Sequence, residues 1–124
     1  MRTIQEFVAK MEPESEYHKK IRVAETILQQ LGGHKFIVMT GATRICALES
    51  GLQFSLPGGR GFAKQGINKV QIILNPSDTY TVKFMRIRHK HVDLEIDVIS
   101  NHSDIYAEDL QELFTRKTGL ETHL

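Results

Sequence analysis

A glycine-rich, basic segment, PGGRGFAKQG at 57–66, has the most distinctive chemistry in the sequence. Glycines let a backbone approach a phosphate closely, and Arg60 and Lys64 supply positive charge for a bound anion. Phe62 lies between these cations and can stack on a nucleic-acid base. The segment lacks the GK[ST] ending of a phosphate-binding loop and does not fit a dinucleotide fingerprint. Two interpretations remain, a long hairpin loop and a binding loop for an anion.

Charge is distributed unevenly along the chain, although the formal net charge is only +1. Residues 57–91 carry seven Lys or Arg and one acid, whereas residues 92–124 carry eight acids and two Lys or Arg. The basic third predicts a surface for a polyanion, most simply nucleic acid. Alternatively, basic and acidic strands pair within the fold and neutralise each other. The residues predicted to bind nucleic acid or another anion are Arg60, Phe62, Lys64, Lys69, Arg86, Arg88 and Lys90.

Histidines offer a weak pattern for metal binding. His89 and His91 have the i, i+2 spacing that can place two imidazoles on one side of a strand, and His102 could approach them. The pair is flanked by Arg88 and Lys90, however, and these cations repel a metal ion. No HExxH or Cys/His framework accompanies the pair. The sequence therefore predicts no metal site.

Other reactive side chains also have simpler structural interpretations. The acids at 93, 95 and 97 alternate along one strand, so they share a face that could hold a cation. A solvated face paired with Lys83 and its neighbours is the simpler explanation. Cys46 lies in a predicted strand, where a buried and inert thiol is expected. The sequence thus predicts a binding protein rather than an enzyme, without catalytic residues or a cofactor.

Length and composition limit the elements that could position these residues. The chain has 124 residues, of which 40% are hydrophobic and 25% charged, so a single folded domain spanning 1–124 is expected. One cysteine excludes an internal disulfide. The sequence contains no run of 18 apolar residues, so no membrane-spanning helix is expected. No signal-peptide core follows Met1. The expected location is the cytoplasm.

Helical periodicity occurs near both ends of the chain. A capping box from Thr3 to Glu6 predicts a short helix over 4–11. Residues 14–31 predict a second helix that ends at the Gly32-Gly33 pair, and residues 104–117 predict a third. The predicted inward side chains are Tyr17, Ile21, Ala24, Leu28 and Leu31 in the second helix, and Tyr106, Leu110, Leu113 and Phe114 in the third.

Six short segments between these helices read as strands. Their short connections predict an antiparallel meander, and the three helices would cover one of its faces in an α+β fold. A three-residue loop at 89–91 would place Val82 opposite Val98, Phe84 opposite Ile96, and Lys83 opposite Asp97. The predicted strands are 34–40, 44–49, 52–56, 68–75, 79–88 and 92–99.

A resemblance to small accessory proteins of bacteriophages and mobile elements is carried by three stretches: GGHKFIVMTGA (32–42), INKVQIILNPSDTYTVKFMRIR (67–88) and DIYAEDLQELFTRKTGLETHL (104–124). The resemblance brings no catalytic motif and transfers no residue role. It implies a binding protein that acts in a bacterial cytoplasm, a group that includes inhibitors of host defence. Three partners stay open: nucleic acid, a host protein, and a nucleotide or small anionic signal held by the glycine-rich segment, with a homo-oligomer as one setting for the last.

Overall fold

The computed structural model of the protein describes residues 15–58 and 62–122. These residues form three α-helices, α1 (Glu16–Leu31), α2 (His34–Thr40) and α3 (Leu110–Thr118). They also form five strands: β1 (Thr43–Leu48), β2 (Gly51–Ser55), β3 (Lys69–Leu74), β4 (Tyr80–Lys90) and β5 (Asp93–Ile105). The predicted α+β class is confirmed, with five strands instead of six. The helix predicted over 4–11 lies outside the described residues.

One antiparallel meander sheet contains the five strands in the order β1-β2-β3-β4-β5. Successive residues of a strand point to opposite faces. The face that carries Phe54, Val70 and Phe84 packs under the helices and is called the covered face. The opposite face, which carries Lys69, Lys83 and their cross-strand neighbours, is called the open face.

An aromatic cluster forms the centre of the core. Phe36 of α2, Phe54 of β2 and Phe114 of α3 are each almost completely buried. The ring centroid of Phe36 lies 5.2 Å from that of Phe54 and 5.2 Å from that of Phe114, both in edge-to-face geometry. Aromatic pairs prefer this geometry because the positive ring edge meets the negative ring face. The cluster thus joins two helices to the sheet.

Helix α1 begins and ends at the expected signals. The Ser15 hydroxyl accepts a hydrogen bond from the His18 amide at 3.2 Å, which satisfies one free donor of the first turn. Gly32 ends the helix with a positive φ of 127°. Ile27 and Leu31 point into the core, whereas Tyr17 is 67% exposed, so its predicted inward position is wrong.

Residues 34–40, HKFIVMT, form α2 and not the predicted central strand. A short apolar run does not by itself distinguish a strand from a buried helix. Here Phe36 and Thr40 are both buried, and their spacing of four residues places them on one side of a helix. Gly33 and Gly41 bound the helix, and both have positive φ angles that favour glycine.

The predicted register of the β4–β5 hairpin is wrong. The turn is His91-Val92, with His91 at a φ of 58°, and Arg86 lies opposite Asp97. This is a shift of three residues from the predicted pairing of Lys83 with Asp97. Because an odd shift exchanges the two faces, Ile96 and Val98 lie on the open face and not in the core. They are 54% and 53% exposed.

The C-terminal helix is shorter than predicted. Strand β5 continues to Ile105, so neither Ser103 nor Asp104 caps a helix, and Tyr106 is exposed. Helix α3 nevertheless buries Leu110, Leu113 and Phe114 as predicted, and Gly119 ends it in the left-handed conformation. None of the helices in the described residues is long and apolar enough to cross a membrane.

Candidate binding surface

In residues 15–58 and 62–122 the helices pack on the covered face, and the open face carries a mixture of polar and apolar residues. Lys69 and Lys83 lie there among the uncharged polar residues Gln53 and Gln71, whose side chains hydrogen-bond at 2.7 Å. Asp93, Glu95 and Asp97 of β5 lie opposite Lys90, Arg88 and Arg86, and therefore point to the other face. The open face is therefore cationic beside its apolar part.

An aliphatic strip, defined as Leu94, Ile96 and Val98, runs along β5 on the open face. Each of these side chains is exposed over about half of its surface, between 52% and 54%. Their partners across the ladder are His89, Ile87 and Met85; the strip continues onto β4 through His89 and Ile87, whereas Met85 is buried. Single exposed aliphatic residues are ordinary, but a contiguous row of them indicates an interaction surface.

A basic groove of about 620 Å³ adjoins the strip at the end of the sheet near the β4–β5 turn. All five strands contribute to it, so it crosses the whole width of the sheet. Its basic side chains are Arg44, Lys69 and His89. The remaining lining residues are Thr43, Ser55, Leu56, Asn68, Ile87 and Leu94.

Two of the predicted anion-binding residues are engaged in ion pairs. Arg86 contacts Asp97 at 3.1 Å, while Arg88 contacts both Glu95 at 2.9 Å and Asp97 at 3.1 Å. The predicted compensation between the basic and acidic strands therefore occurs, with arginines taking the place predicted for Lys83. Lys83 instead lies opposite Asn101.

The other predicted anion-binding residues are not gathered on one surface. Lys64 donates a hydrogen bond from Nζ to the Arg116 carbonyl at 3.3 Å, beside the end of α3. Phe62 is 41% exposed, and Arg60 lies outside the described residues. Lys69 is on the open face, and Lys90 lies opposite Asp93 in the strand ladder at the end of the hairpin.

The residues considered for metal binding or reactivity are separated. His91 lies in the hairpin turn, and His102 lies opposite Val82, at a distance along β5 from that turn. No group of three or more His, Cys, Asp or Glu side chains in residues 15–58 and 62–122 is placed to hold a metal ion. Cys46 is exposed, so the expected burial of its thiol is wrong; β1 is an edge strand.

Three buried polar atoms lie on the covered side of the β4–β5 pair. They are Arg86 Nε, Ser100 Oγ and His102 Nε2, and none has a hydrogen-bond partner within the described chain. The pKa of His102 lies below its usual value, first because burial disfavours the charged imidazolium. The positive charges of Lys117 and Arg116 lower that pKa further.

His102 is expected to make the stability depend on pH. Its ordinary pKa is about 6.5, and the folded protein holds it lower, so the unfolded chain takes up the proton first. Stability is therefore fully present above pH ~6.5 and is lost as the pH falls through the folded pKa. Calorimetry at pH 7.5 and 5.0 should show a larger fall in melting temperature for the wild type than for His102→Gln. Equal falls would contradict the lowered pKa.

Some residues of this surface were missed by reasoning from the sequence. Arg44 lies outside the basic third of the chain, and only the fold brings it to the groove. Ile96 and Val98 were placed in the core because they alternate like core residues. The signal that could have corrected this is the pairing of Arg86 and Arg88 with acids, which the observed register satisfies and the predicted one does not.

Comparison of the chain with protein-family models, with curated proteins and with solved structures gave no match. The function must therefore be argued from the surface itself.

Proposed function

We propose that this chain is a non-enzymatic binding protein whose partner is another protein. The aliphatic strip beside the free edge of β5 is the observation that carries the proposal. The resemblance of the sequence to phage and mobile-element accessory proteins adds a context, the cytoplasm of a bacterial host. An inhibitor of a host defence protein is one form that such a binder takes.

The chemistry of the strip favours a protein over nucleic acid. Leu94, Ile96 and Val98 offer aliphatic surface. Single-stranded nucleic acid is instead bound by aromatic side chains that stack on its bases and by cations that contact its phosphates. Two of the arginines that would neutralise phosphates, Arg86 and Arg88, already contact carboxylates. Aliphatic side chains of a partner would lose water against the strip, at roughly 25 cal/mol per Å² buried.

The position of the strip also indicates how a partner would bind. β5 is the last strand of the sheet, and within residues 15–58 and 62–122 no strand pairs with its outer edge. An extended segment of a partner can add to such an edge by main-chain hydrogen bonds, while its side chains meet alternate residues of β5. The strip would then receive every second side chain of that segment.

Replacement of Ile96 by Lys should weaken this binding without unfolding the protein. Ile96 is 54% exposed, so the lysine can reach water, but its charge would lie in the middle of the contact. The wild-type protein is used to capture partners from a nuclease-treated lysate of a bacterial host. The purified partner is then titrated against each variant, and Ile96→Lys should weaken its affinity by about tenfold or more.

Val38→Lys is the matched control, because Val38 is also an exposed aliphatic residue but lies on α2. It should bind the purified partner like the wild type. Undiminished binding by Ile96→Lys would overturn the proposal. Loss of all captured material after nuclease treatment would overturn it as well.

Nucleic acid is the second candidate, and one observation favours it. Lys64 contacts the Arg116 carbonyl, the charges of Arg116 and Lys117 both act on His102, and Phe62, two residues before Lys64 in the sequence, is exposed. Titration with single- and double-stranded DNA and RNA at two salt concentrations tests it, since phosphate contacts give strong salt dependence. An absence of binding at low salt would exclude this candidate.

A further inference from the structure

We propose that the basic groove receives an acidic side chain of the protein partner, so that the partner presents a carboxylate next to its aliphatic residues. The inference rests on the proposed function, because it places the partner along the aliphatic strip. The aliphatic strip indicates only that the partner segment carries apolar residues, and the groove indicates in addition that this segment is negatively charged.

The first argument is the charge of the groove. Arg44, Lys69 and His89 line it, and no Asp or Glu is among the described residues that do. On the other face of the same hairpin, the arginines Arg86 and Arg88 are compensated by acids. In the part of the chain that the structure describes, the groove is thus a basic site without a carboxylate. Charge-assisted hydrogen bonds from Arg or Lys to a carboxylate are among the stronger polar contacts.

The second argument is continuity between the groove and the strip. Leu94 belongs to both, and its partner across the ladder, His89, also lines the groove. Strand residues two apart are separated by roughly 6.5 to 7 Å, so a segment paired along β5 would bring one side chain from the strip to the groove. That side chain would meet Ile87 and Leu94 with its stem, and the cations with its end.

The third argument is the backbone at Arg44. This residue has a φ of 52°, and the pairing of β1 with β2 is irregular between Thr43 and Cys46. A left-handed conformation is unfavourable for a residue other than glycine, and irregularities in edge strands commonly re-aim a side chain. Arg44 thus belongs to the irregular segment of β1 and also lines the groove, as expected if the irregularity directs its side chain there.

The lining also distinguishes a peptide carboxylate from a nucleotide phosphate. The described lining contains no Phe, Tyr or Trp on which a base could stack, and its apolar members are Leu56, Ile87 and Leu94. Aliphatic walls suit the stem of a glutamate. Among the described lining residues, a nucleotide would find only the small imidazole ring of His89 as an aromatic partner for its base.

Three blocked nine-residue peptides provide the test, each with Thr at the even positions, Val at positions 3, 5 and 7, and Glu, Gln or Lys at positions 1 and 9, so that Val and the tested side chain lie on one face of the extended peptide. They are called the Val/Glu, Val/Gln and Val/Lys peptides. Each is titrated into the isotope-labelled full chain, and amide chemical shifts are followed by NMR at low salt. The Val/Glu peptide should bind at least tenfold more tightly than the Val/Gln peptide, and should shift the amides of β5 and of the groove. The Val/Lys peptide should not bind.

Charge reversal at the groove should remove this preference. Lys69→Glu should weaken Val/Glu binding about tenfold, whereas Lys69→Arg should retain it. Lys83→Glu is the matched control, because Lys83 lies on the same open face without lining the groove. It should change the affinity by less than threefold.

Several outcomes would overturn the inference. Equal binding of the Val/Glu and Val/Gln peptides, lost in Ile96→Lys but not in Lys69→Glu, would leave the proposed function standing and refute the acidic partner. An absence of binding by all three peptides would also refute it. Shifts of the groove amides caused by a ten-nucleotide oligo(dT), and not by Val/Glu, would assign the groove to nucleic acid.

Discussion

Phe114→Ala is expected to lower the melting temperature by about 12–20 °C. Removing a buried Phe side chain typically costs about 3–5 kcal/mol, and for a domain of this length 1 kcal/mol corresponds to about 4 °C. Phe114 is 1% exposed, and its ring centroid lies 5.2 Å from that of Phe36 and 6.1 Å from that of Phe54. The substitution therefore leaves a cavity beside the rings of Phe36 and Phe54, and these rings cannot both shift to fill it.

Phe62→Ala is the matched control for this experiment. Phe62 is 41% exposed, so its loss should shift the melting temperature by only a few degrees. Thermal unfolding followed by circular dichroism measures both variants. Similar, small shifts for the two would show that α3 is not part of the core. The surface of α3 would then become a candidate partner site in place of the aliphatic strip.

The same helix shows how far its sequence could be interpreted correctly. Leu110, Leu113 and Phe114 recur with helical spacing, and Gly119 marks the end, so the packed face of α3 was predictable. Its beginning was not, because Ser103 and Asp104 are good helix caps that also occur in strands. Here the pairing of β5 with β4 as far as Ile105 outweighs the local capping preference.

Strand alternation was a reliable guide in β2 and β3 and misleading in β5. In β2 and β3 the alternating residues Phe54, Val70 and Ile72 do face the core. In β5 the alternating residues Ile96 and Val98 face the open side, since β5 is an edge strand and the helices do not cover that face. Alternation reveals that one face is apolar, but it does not reveal whether the protein or a partner covers it.

Register explains why the candidate site could not be predicted. The local sequence of a strand does not determine which residues lie opposite each other across the ladder. The position and type of the hairpin turn determine that register. His91 adopts the left-handed conformation without being a glycine or an asparagine, so the turn carries no strong sequence signal. The basic groove depends on this register and on Arg44, which is separated from Lys69 by two strand connections.

Gly51→Ala is expected to destabilise the protein by about 3 kcal/mol or more, because it combines overpacking with lost ladder hydrogen bonds. Gly51 is the first residue of β2 and lies opposite Ile73 of β3. A Cβ atom at this position would lie 2.1 Å from the Ile72 carbonyl oxygen and 3.0 Å from Ile73 Cα. Both are backbone atoms, so the strands themselves would have to separate.

Gly58→Ala is the matched control, since a Cβ atom there would meet nothing within 4 Å. Its stability should stay within about 1 kcal/mol of the wild type, as measured by urea denaturation. A Gly51→Ala protein as stable as the Gly58→Ala protein would contradict the close approach of β2 and β3. The comparison also bears on function, because the β2–β3 ladder joins Arg44 of β1 to Lys69 and His89. If that ladder is loosened while the hairpin stays folded, the Val/Glu peptide should lose its tenfold advantage over Val/Gln, and the aliphatic strip should still bind.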